Sequence, residues 1–208
     1  MPKATFFNLP EEKRQKIIDA AMDEFARQPF HKAKITSIAE NAGISVGSFY
    51  QYFEDKKDLV KHILNLLAQR KLKYINQDMV VNKEKYGFFE LFREIVFSGL
   101  RFARENAQYI GIASMLLADK SLQSEVLGEN QDITIDFYKQ LLELGLAKGE
   151  LDPNIDTDLV ARFLTSLSFS LIDIVYKDGT IDLDDLESGM KIMDKMLAFV
   201  ENGIKRRD

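Results

Sequence analysis

Hydrogen-bonding and aromatic side chains are concentrated between Ile35 and Phe53, in the sequence ITSIAENAGISVGSFYQYF. Phe49 and Phe53 lie four residues apart and share one face of a helix, so both are expected to point inward. The opposite face then carries small, hydrogen-bonding or aromatic groups, namely Gly47, Ser48, Tyr50, Gln51 and Tyr52. Groups of this kind suit the base edges of a DNA major groove and the phosphates beside it.

Two short helices joined by a turn must position these side chains. Ile38, Ala39 and Ala42 fit one face of the first helix, and Gly43 ends it as a C-terminal glycine in the left-handed conformation. Ser45 is a good N-cap for the second helix. Two helices joined by a short turn containing Gly form a helix-turn-helix. The alternative is an ordinary helical hairpin, because Ala-Gly-Ile-Ser by itself is a common sequence.

The spacing over a longer stretch resembles the DNA-binding region of the TetR family of transcriptional regulators. The matching pattern is I-A-x-x-A-G-I-S-x-G-x-x-Y-x-Y-F-x-x-K-x-x-L, which runs from Ile38 to Leu59. The remainder of the chain carries no motif of comparable specificity. The family usually has a Gly near Pro29 and a Ser or Thr cap near Lys34, and both are absent here, so Thr36 is the alternative cap.

The resemblance implies that Tyr50 and Lys56 contact phosphate, with Lys56 at a helix N-terminus, where anions are attracted. Base reading is expected from residues on or beside the exposed face of the second short helix. The complete set of predicted DNA-binding residues is Thr36, Ser45, Val46, Gly47, Ser48, Tyr50, Gln51, Tyr52 and Lys56.

The charge distribution favours local contacts to double-stranded DNA over a broad basic surface. The chain has 208 residues and a net charge of −5. Residues 1–58 contain equal numbers of basic and acidic side chains, so the negative excess belongs to residues 59–208. The chain contains no cysteine, which excludes disulfides and thiolate zinc sites and fits a reducing compartment. No signal peptide or membrane span is evident, so we expect a cytoplasmic protein.

Apolar periodicity predicts helices throughout the chain, so the expected fold is all-α. A capping box at Asn8 to Glu11 is expected to open a helix that ends near Gln28. Residues 1–7 are expected to be frayed, with packing of Phe6 and Phe7 against the core as the alternative, and Asn76–Lys85 to form a loop. Further helices are predicted from Asp55 onward and at Gly87–Glu105, Tyr109–Leu117, Ser124–Leu146, Asp156–Tyr176 and Asp182–Gly203. We divide the chain into a helix-turn-helix DNA-binding domain, residues 1–55, and a ligand-binding and dimerisation domain, residues 56–208.

Evidence for catalysis or metal binding is weak. His31 and His62 are expected to be surface or cap residues, since no third ligand accompanies Asp58 and His62. The acidic residues Asp178, Asp182, Asp184, Asp185 and Glu187 lack the spacing of a calcium loop and instead suit a helix N-terminus. No Gly-rich phosphate loop or supported catalytic triad is present, so we predict no enzyme activity, cofactor or metal.

Two helices near the C-terminus carry wide apolar stripes that could form a four-helix interface in a homodimer, as the resemblance implies. The alternative is that both pack inside one monomer. The resemblance also implies a small-molecule pocket among the helices after residue 56, and their aromatic content suits a lipophilic effector. The candidate ligand-binding residues are Phe92, Phe102, Tyr109, Phe137, Tyr138, Arg162, Phe163 and Ser166.

The sequence therefore predicts a DNA-binding transcriptional regulator, and specifically a ligand-responsive dimeric repressor on a near-palindromic operator. Two alternatives stay open. One is a DNA-binding protein of the same fold without a small-molecule effector. The other is an all-α lipophile carrier or enzyme.

Overall fold

The computed structural model describes residues 1–172 and 185–206, and within these residues the fold is all-α, as predicted. The helices are α1 (Ala4–Phe7), α2 (Glu11–Arg27), α3 (Ile35–Asn41), α4 (Val46–Tyr52), α5 (Lys56–Leu72), α6 (Gln77–Val81), a 3-10 turn (Lys83–Lys85), α7 (Phe88–Glu105), α8 (Ala107–Ala118), α9 (Lys120–Ala147), α10 (Thr157–Ile172) and α11 (Leu186–Ile204). In the described ranges, β-pairing is limited to an isolated bridge between Leu151 and Lys205. None of the helices described is long and apolar enough to span a bilayer.

The N-terminal unit comprises residues 1–70 and 106–128. Its core is built from side chains that are at most 1% exposed, including Ile17, Phe25, Ile38, Phe49 and Phe53. Helix α2 packs against α3 and α8. The predicted boundary after residue 55 separates functional domains and differs from this division into compact units. It stays a prediction.

The C-terminal unit comprises residues 71–105 and the described residues from 129 onward. Phe88 and Phe92 of α7 stack with ring centroids 5.8 Å apart in a core completed by α9, α10 and α11. The end of α11 is tied to the α9–α10 connection, because Asp152 N–H donates to Ile204 O and Arg206 N–H donates to Glu150 O, each at 3.0 Å.

An apolar groove lies open on the surface of the C-terminal unit, between α10 and α11. Leu159, Phe163 and Phe199 are 64%, 50% and 70% exposed. The groove has a volume of about 520 Å³, and its lining exposes no polar surface. We call it the α10–α11 groove, and it is lined by Leu159, Val160, Phe163, Leu164, Phe199, Val200, Asn202, Gly203 and Ile204.

Three local expectations were wrong. Residues 4–7 form α1 and are not frayed, because Phe6 packs back into the core of the N-terminal unit, at 2% exposure, as the alternative allowed. Asn8 follows α1, and α2 begins after Pro10 without a side-chain cap, so there is no capping box. The stretch expected to be a loop contains α6, whose first turn is capped by Asn76 accepting from Asp78 N–H at 3.0 Å.

The remaining boundaries fall close to those predicted, except that α9 begins earlier, at Lys120, and α11 begins later than the predicted Asp182, at Leu186. The expected end of one helix at Tyr176, the break at Asp178, and the acidic residues Asp178, Asp182 and Asp184 lie outside the described residues. Asp185 is described and caps α11 by accepting from Ser188 N–H at 3.0 Å.

Gly111 allows α8 to approach α2 closely, which predicts an effect of adding a methyl group there. A Cβ on Gly111 would lie 2.7 Å from Ala26 Cβ and 2.8 Å from Ala26 Cα, so the backbone of α2 must move. We expect Gly111→Ala to destabilise the protein by about 1–3 kcal/mol in chemical denaturation, despite the better helix propensity of Ala. The control is Gly99→Ala, also inside a helix, where the nearest atom is the flexible Lys71 side chain at 3.6 Å. Equal stability of the two variants would contradict the close approach.

Candidate nucleic-acid interface

The turn between α3 and α4 has the geometry of a helix-turn-helix. Gly43 adopts a φ of +67°, which confirms the predicted left-handed glycine. Ala42 N–H donates to Ile38 O at 3.0 Å, and Ile44 N–H donates to Ala39 O at 2.9 Å. These bonds satisfy carbonyls at the end of α3 and redirect the chain into α4.

The two helices begin differently. Ser45 Oγ accepts from Ser48 N–H at 3.0 Å, so the predicted N-cap of α4 is confirmed. Helix α3 has no side-chain cap from its own N-terminal residues, and Thr36 lies inside it, so the expectation that Thr36 caps it was wrong. Instead, Glu24 of α2 accepts from Lys34 N–H at 2.8 Å. This bond joins the start of α3 to α2, but it does not replace a Ser or Thr cap, whose oxygen would accept from an N–H inside the helix.

Aromatic burial determines which face of α4 is outward. Phe49 and Phe53 are both fully buried, with ring centroids 5.5 Å apart, which confirms their predicted inward direction. Ala39 is 2% exposed beneath them. Because α4 is only seven residues long, this burial and not intrinsic helix propensity must supply its stability.

Most of the predicted DNA-binding residues lie on the surface that this burial leaves outward. The exposed residues are Thr36, Ser45, Val46, Gly47, Tyr50 and Gln51. Ser48 is half-buried, and its hydroxyl lies 2.9 Å from Ser45 Oγ. Within the described ranges, the side-chain amide of Gln51 makes no hydrogen bond, so both its donor and its acceptor are available.

Tyr52 does not lie on this surface, and its predicted outward direction was wrong. It is 7% exposed, and its ring centroid lies 6.3 Å from that of Phe6. The cause is α1, which covers the side of α4 that carries Tyr52.

Lys56 begins α5, which confirms its predicted place at a helix N-terminus, and its contact with phosphate stays a prediction. Its ammonium donates to the carbonyls of Phe30 and Ala33 at 2.8 and 2.7 Å and lies 4.7 Å from the centre of the Phe30 ring. Burial lowers the pKa of Lys56, and Glu24 opposes this shift. The side chain therefore closes the connection between α2 and α3.

His62 was expected to be a surface or cap residue, but it is buried, at 8% exposure. Its ring packs edge-on to Phe6 with centroids 5.3 Å apart. Burial lowers the pKa of His62, and the neighbouring Asp58 carboxylate opposes that shift. Sequence periodicity missed this contact because it reads only neighbouring positions, and Phe6 is distant from His62 in the chain.

The candidate ligand-binding residues differ in burial and in the unit to which they belong. Phe92, Phe102 and Tyr138 are buried in the C-terminal unit, with the Tyr138 ring centroid 6.1 Å from that of Phe92. Tyr109 belongs to the N-terminal unit, where burial raises its pKa to about 12. The other four candidates are exposed, namely Phe137, Arg162, Phe163 and Ser166, and the ligand-binding role of all eight residues stays a prediction.

The exposed candidates have identifiable reasons for their positions. Arg162 Nε donates to Asp158 Oδ2 at 2.8 Å, one helical turn away on α10. Hydrogen bonds from Arg162 and from Lys139 lower the pKa of Asp158 to about 2. Phe163 lines the α10–α11 groove, so the apolar stripe of α10 is wider than the core can cover.

Together, the turn, the capped second helix and its outward polar face define a helix-turn-helix protein. A family described as "Bacterial regulatory proteins, tetR family" matches residues 17–63. The crystal structure of a TetR family transcriptional regulator from Chloroflexus aurantiacus J-10-FL is 30% identical, with full coverage of both chains and a TM-score of 0.68. The HTH-type transcriptional regulator UidR of Escherichia coli (strain K12) is 28% identical over 181 residues, covering 79% of this chain and 83% of that protein.

The chain belongs to the TetR family of transcriptional regulators. A further similar structure is that of the transcriptional regulator FadR from Bacillus subtilis in complex with stearoyl-CoA. It has a TM-score of 0.72 over 91% of this chain and 98% of that chain. At 20% identity, this similarity shows a shared fold alone.

The exposed, unbonded amide of Gln51 predicts a measurable role in base reading. Gln51→Ala should cost about 1–3 kcal/mol at one base pair and relax the consensus there, because a Gln amide can pair with adenine N6 and N7. Binding-site selection from a random duplex pool, followed by titration of single-base variants, measures this. Gln15→Ala is the control, because it makes the same change at an exposed position of α2, where the Gln15 amide bonds to Asp19 at 2.7 Å. It should leave the consensus intact. An identical consensus for wild type and Gln51→Ala would remove Gln51 from the interface.

Proposed function

We propose that the protein is a dimeric repressor that binds a near-palindromic operator through α4 and leaves it when a lipophilic effector binds. In this proposal residues 1–55 are the DNA-binding domain, and the rest of the chain binds the effector and the second subunit. The observation that carries the proposal is α4 itself, a capped helix with an inward aromatic face and an outward polar face. Repression follows sterically, because a dimer on promoter DNA excludes other proteins from it.

The outward face of α4 suits the major groove in shape and chemistry. Val46, 38% exposed at the first turn, can meet a thymine methyl group, and Gly47 allows close approach to the bases. Tyr50, 48% exposed, can donate its hydroxyl to a phosphate and so fix the register of the helix. Recognition helices of helix-turn-helix proteins contact bases with their N-terminal residues, where Val46 and Gly47 lie.

A second subunit is needed because α4 has only about two turns and reads too few base pairs to select one operator. Two copies related by a two-fold axis would occupy successive major grooves, about 34–36 Å apart. The α10–α11 groove supports this proposal, since its exposed Leu and Phe side chains form the kind of apolar surface that marks protein interfaces. A two-fold interface places the same groove on both subunits.

A charge in the groove should separate the subunits. Phe199→Glu removes an apolar contact worth about 1.5–3 kcal/mol from each subunit. The two changes together raise the dimer dissociation constant by roughly 100-fold or more. Sedimentation at micromolar concentration should then show a monomer with greatly weakened operator binding. The matched control is Val81→Glu, because Val81 is 74% exposed on α6 and lies outside the groove. A Phe199→Glu variant that stays dimeric would exclude the groove as the interface.

The effector is proposed to bind among α7, α9 and α10. Within that apolar core the Tyr138 hydroxyl lies 2.7 Å from Ser168 Oγ, and Ser168 Oγ in turn donates to Leu164 O at 2.9 Å. This polar group beside the Phe92 ring can orient the polar end of a lipophilic molecule. The stearoyl-CoA complex of the structurally similar FadR makes long-chain acyl compounds the first class to test.

An effector acts only if it binds the DNA-free arrangement better than the DNA-bound one. A tenfold loss of operator affinity needs about 1.4 kcal/mol of such a difference. The test is thermal shift and operator release with stearoyl-CoA, aromatic acids and cationic dyes, with free CoA as the control for the acyl chain.

We expect an acyl compound to raise the melting temperature and to release the operator. Tyr138→Phe should weaken that compound about tenfold, because it loses one buried hydrogen bond. Tyr86→Phe, which removes a hydroxyl bonded to Asp78 at the surface, should bind it normally. If no class binds while operator binding persists, the effector-free regulator replaces this proposal.

A further inference from the structure

The C-terminal end of α4 is held by the N-terminal segment, which we define as residues 1–8. The last four carbonyls of a helix have no partner within it. Here all four, from Phe49 to Tyr52, accept a hydrogen bond. Phe49 O accepts from Phe53 N–H at 2.9 Å. The other three bind the N-terminal segment, because Tyr50 O accepts from Lys3 Nζ at 2.8 Å, Tyr52 O from Lys3 N–H at 2.8 Å, and Gln51 O from Thr5 Oγ1.

Apolar burial and an ion pair fix the N-terminal segment in place. Phe6 is 2% exposed, with its ring centroid 4.8 Å from that of Phe53. The ammonium group of Met1 pairs with Asp58, which is 8% exposed. Lys3 and Thr5 are therefore presented to α4 from an anchored backbone.

The Lys3 ammonium binds the end of α4 and keeps N–H donors for a second ligand. It lies at the negative end of the α4 dipole, where a cation is favourable. Of its three N–H donors, one is used on Tyr50 O, and the described residues provide no partner for the others. The Lys3 side chain is exposed. It lies next to Tyr50, whose ring is on the outward face of α4.

We propose that the N-terminal segment is part of the DNA interface: Lys3 contacts a backbone phosphate beside Tyr50, while Lys3 and Thr5 hold the end of the recognition helix. This inference rests on the proposed docking of α4 on DNA. It also provides a cation in addition to Lys56, whose ammonium is bonded to Phe30 and Ala33. Lys3 is a phosphate ligand, and Thr5 is a positioning residue whose hydroxyl donates to Gln51 O of α4.

The experiment compares four variants of the full chain on the duplex that the wild-type protein selects from a random pool. Lys3→Met keeps the length of the side chain without the charge, and Lys3→Arg keeps the charge. Thr5→Val removes the hydroxyl at nearly constant volume. Lys73→Met removes an exposed lysine outside the N-terminal unit and serves as the control for net charge. Operator affinity is measured from low to high salt, and amide exchange of residues 46–53 is measured in the free proteins.

Removing one phosphate contact lowers the slope of log affinity against log salt by about 0.9, so Lys3→Met should reduce the slope by about 1.8 in a two-fold dimer. Lys3→Arg should restore the wild-type slope, and Lys73→Met should not change it. Thr5→Val should keep the slope but speed amide exchange in α4 by roughly 2- to 10-fold, as loss of one hydrogen bond implies.

An unchanged slope in Lys3→Met overturns the phosphate contact, and unchanged exchange in Thr5→Val overturns the positioning role. These outcomes are separable from failure of the proposed function. If Gln51→Ala keeps the wild-type consensus while Lys3→Met has a reduced slope, base reading by Gln51 fails and the Lys3 contact stands. If Gln51→Ala relaxes the consensus while Lys3→Met is normal, the operator proposal stands and Lys3 is excluded.

Discussion

Aromatic packing beneath α4 is the constraint on which the rest of the N-terminal unit depends. A helix of seven residues is unstable in water by itself, so its existence and its rotation must come from tertiary contacts. Phe49 and Phe53 provide them, each contributing about 1.5–3 kcal/mol by burial. Their inward direction leaves Val46, Tyr50 and Gln51 outside. The surface offered to DNA is therefore a consequence of core packing.

Polar contacts then hold both ends of α4 in the orientation that the buried aromatic residues set. Ser45 satisfies an N–H at its beginning, and Lys3 and Thr5 satisfy carbonyls at its end. Lys56 closes the preceding connection through the carbonyls of Phe30 and Ala33. Because each of these groups binds backbone atoms, the side chains of Val46, Tyr50 and Gln51 take no part in fixing the helix.

In the C-terminal unit, the longer helix α10 also has one buried side and one exposed side. One side of α10 enters a core with α7, α9 and α11, and Leu164 there is fully buried. The other side exposes Leu159 and Phe163 in the α10–α11 groove. Exposed apolar surface of this kind is unfavourable in water and marks interaction sites, so it is the physical reason to expect a second subunit.

The sequence by itself determined the helix-turn-helix, because its signals are local: Gly43 supplies a left-handed φ, Ser45 caps the next helix, and Phe49 and Phe53 repeat at helical spacing. It also determined the all-α fold, through apolar periodicity. Only the tertiary structure decided the directions of side chains whose partners are distant in the chain. Tyr52 and His62 are buried because α1 covers them, and Lys56 turns inward because the α2–α3 connection offers two carbonyls. On α10 the apolar stripe is wider than one core can cover, and periodicity cannot tell which part of such a stripe a neighbouring helix will bury.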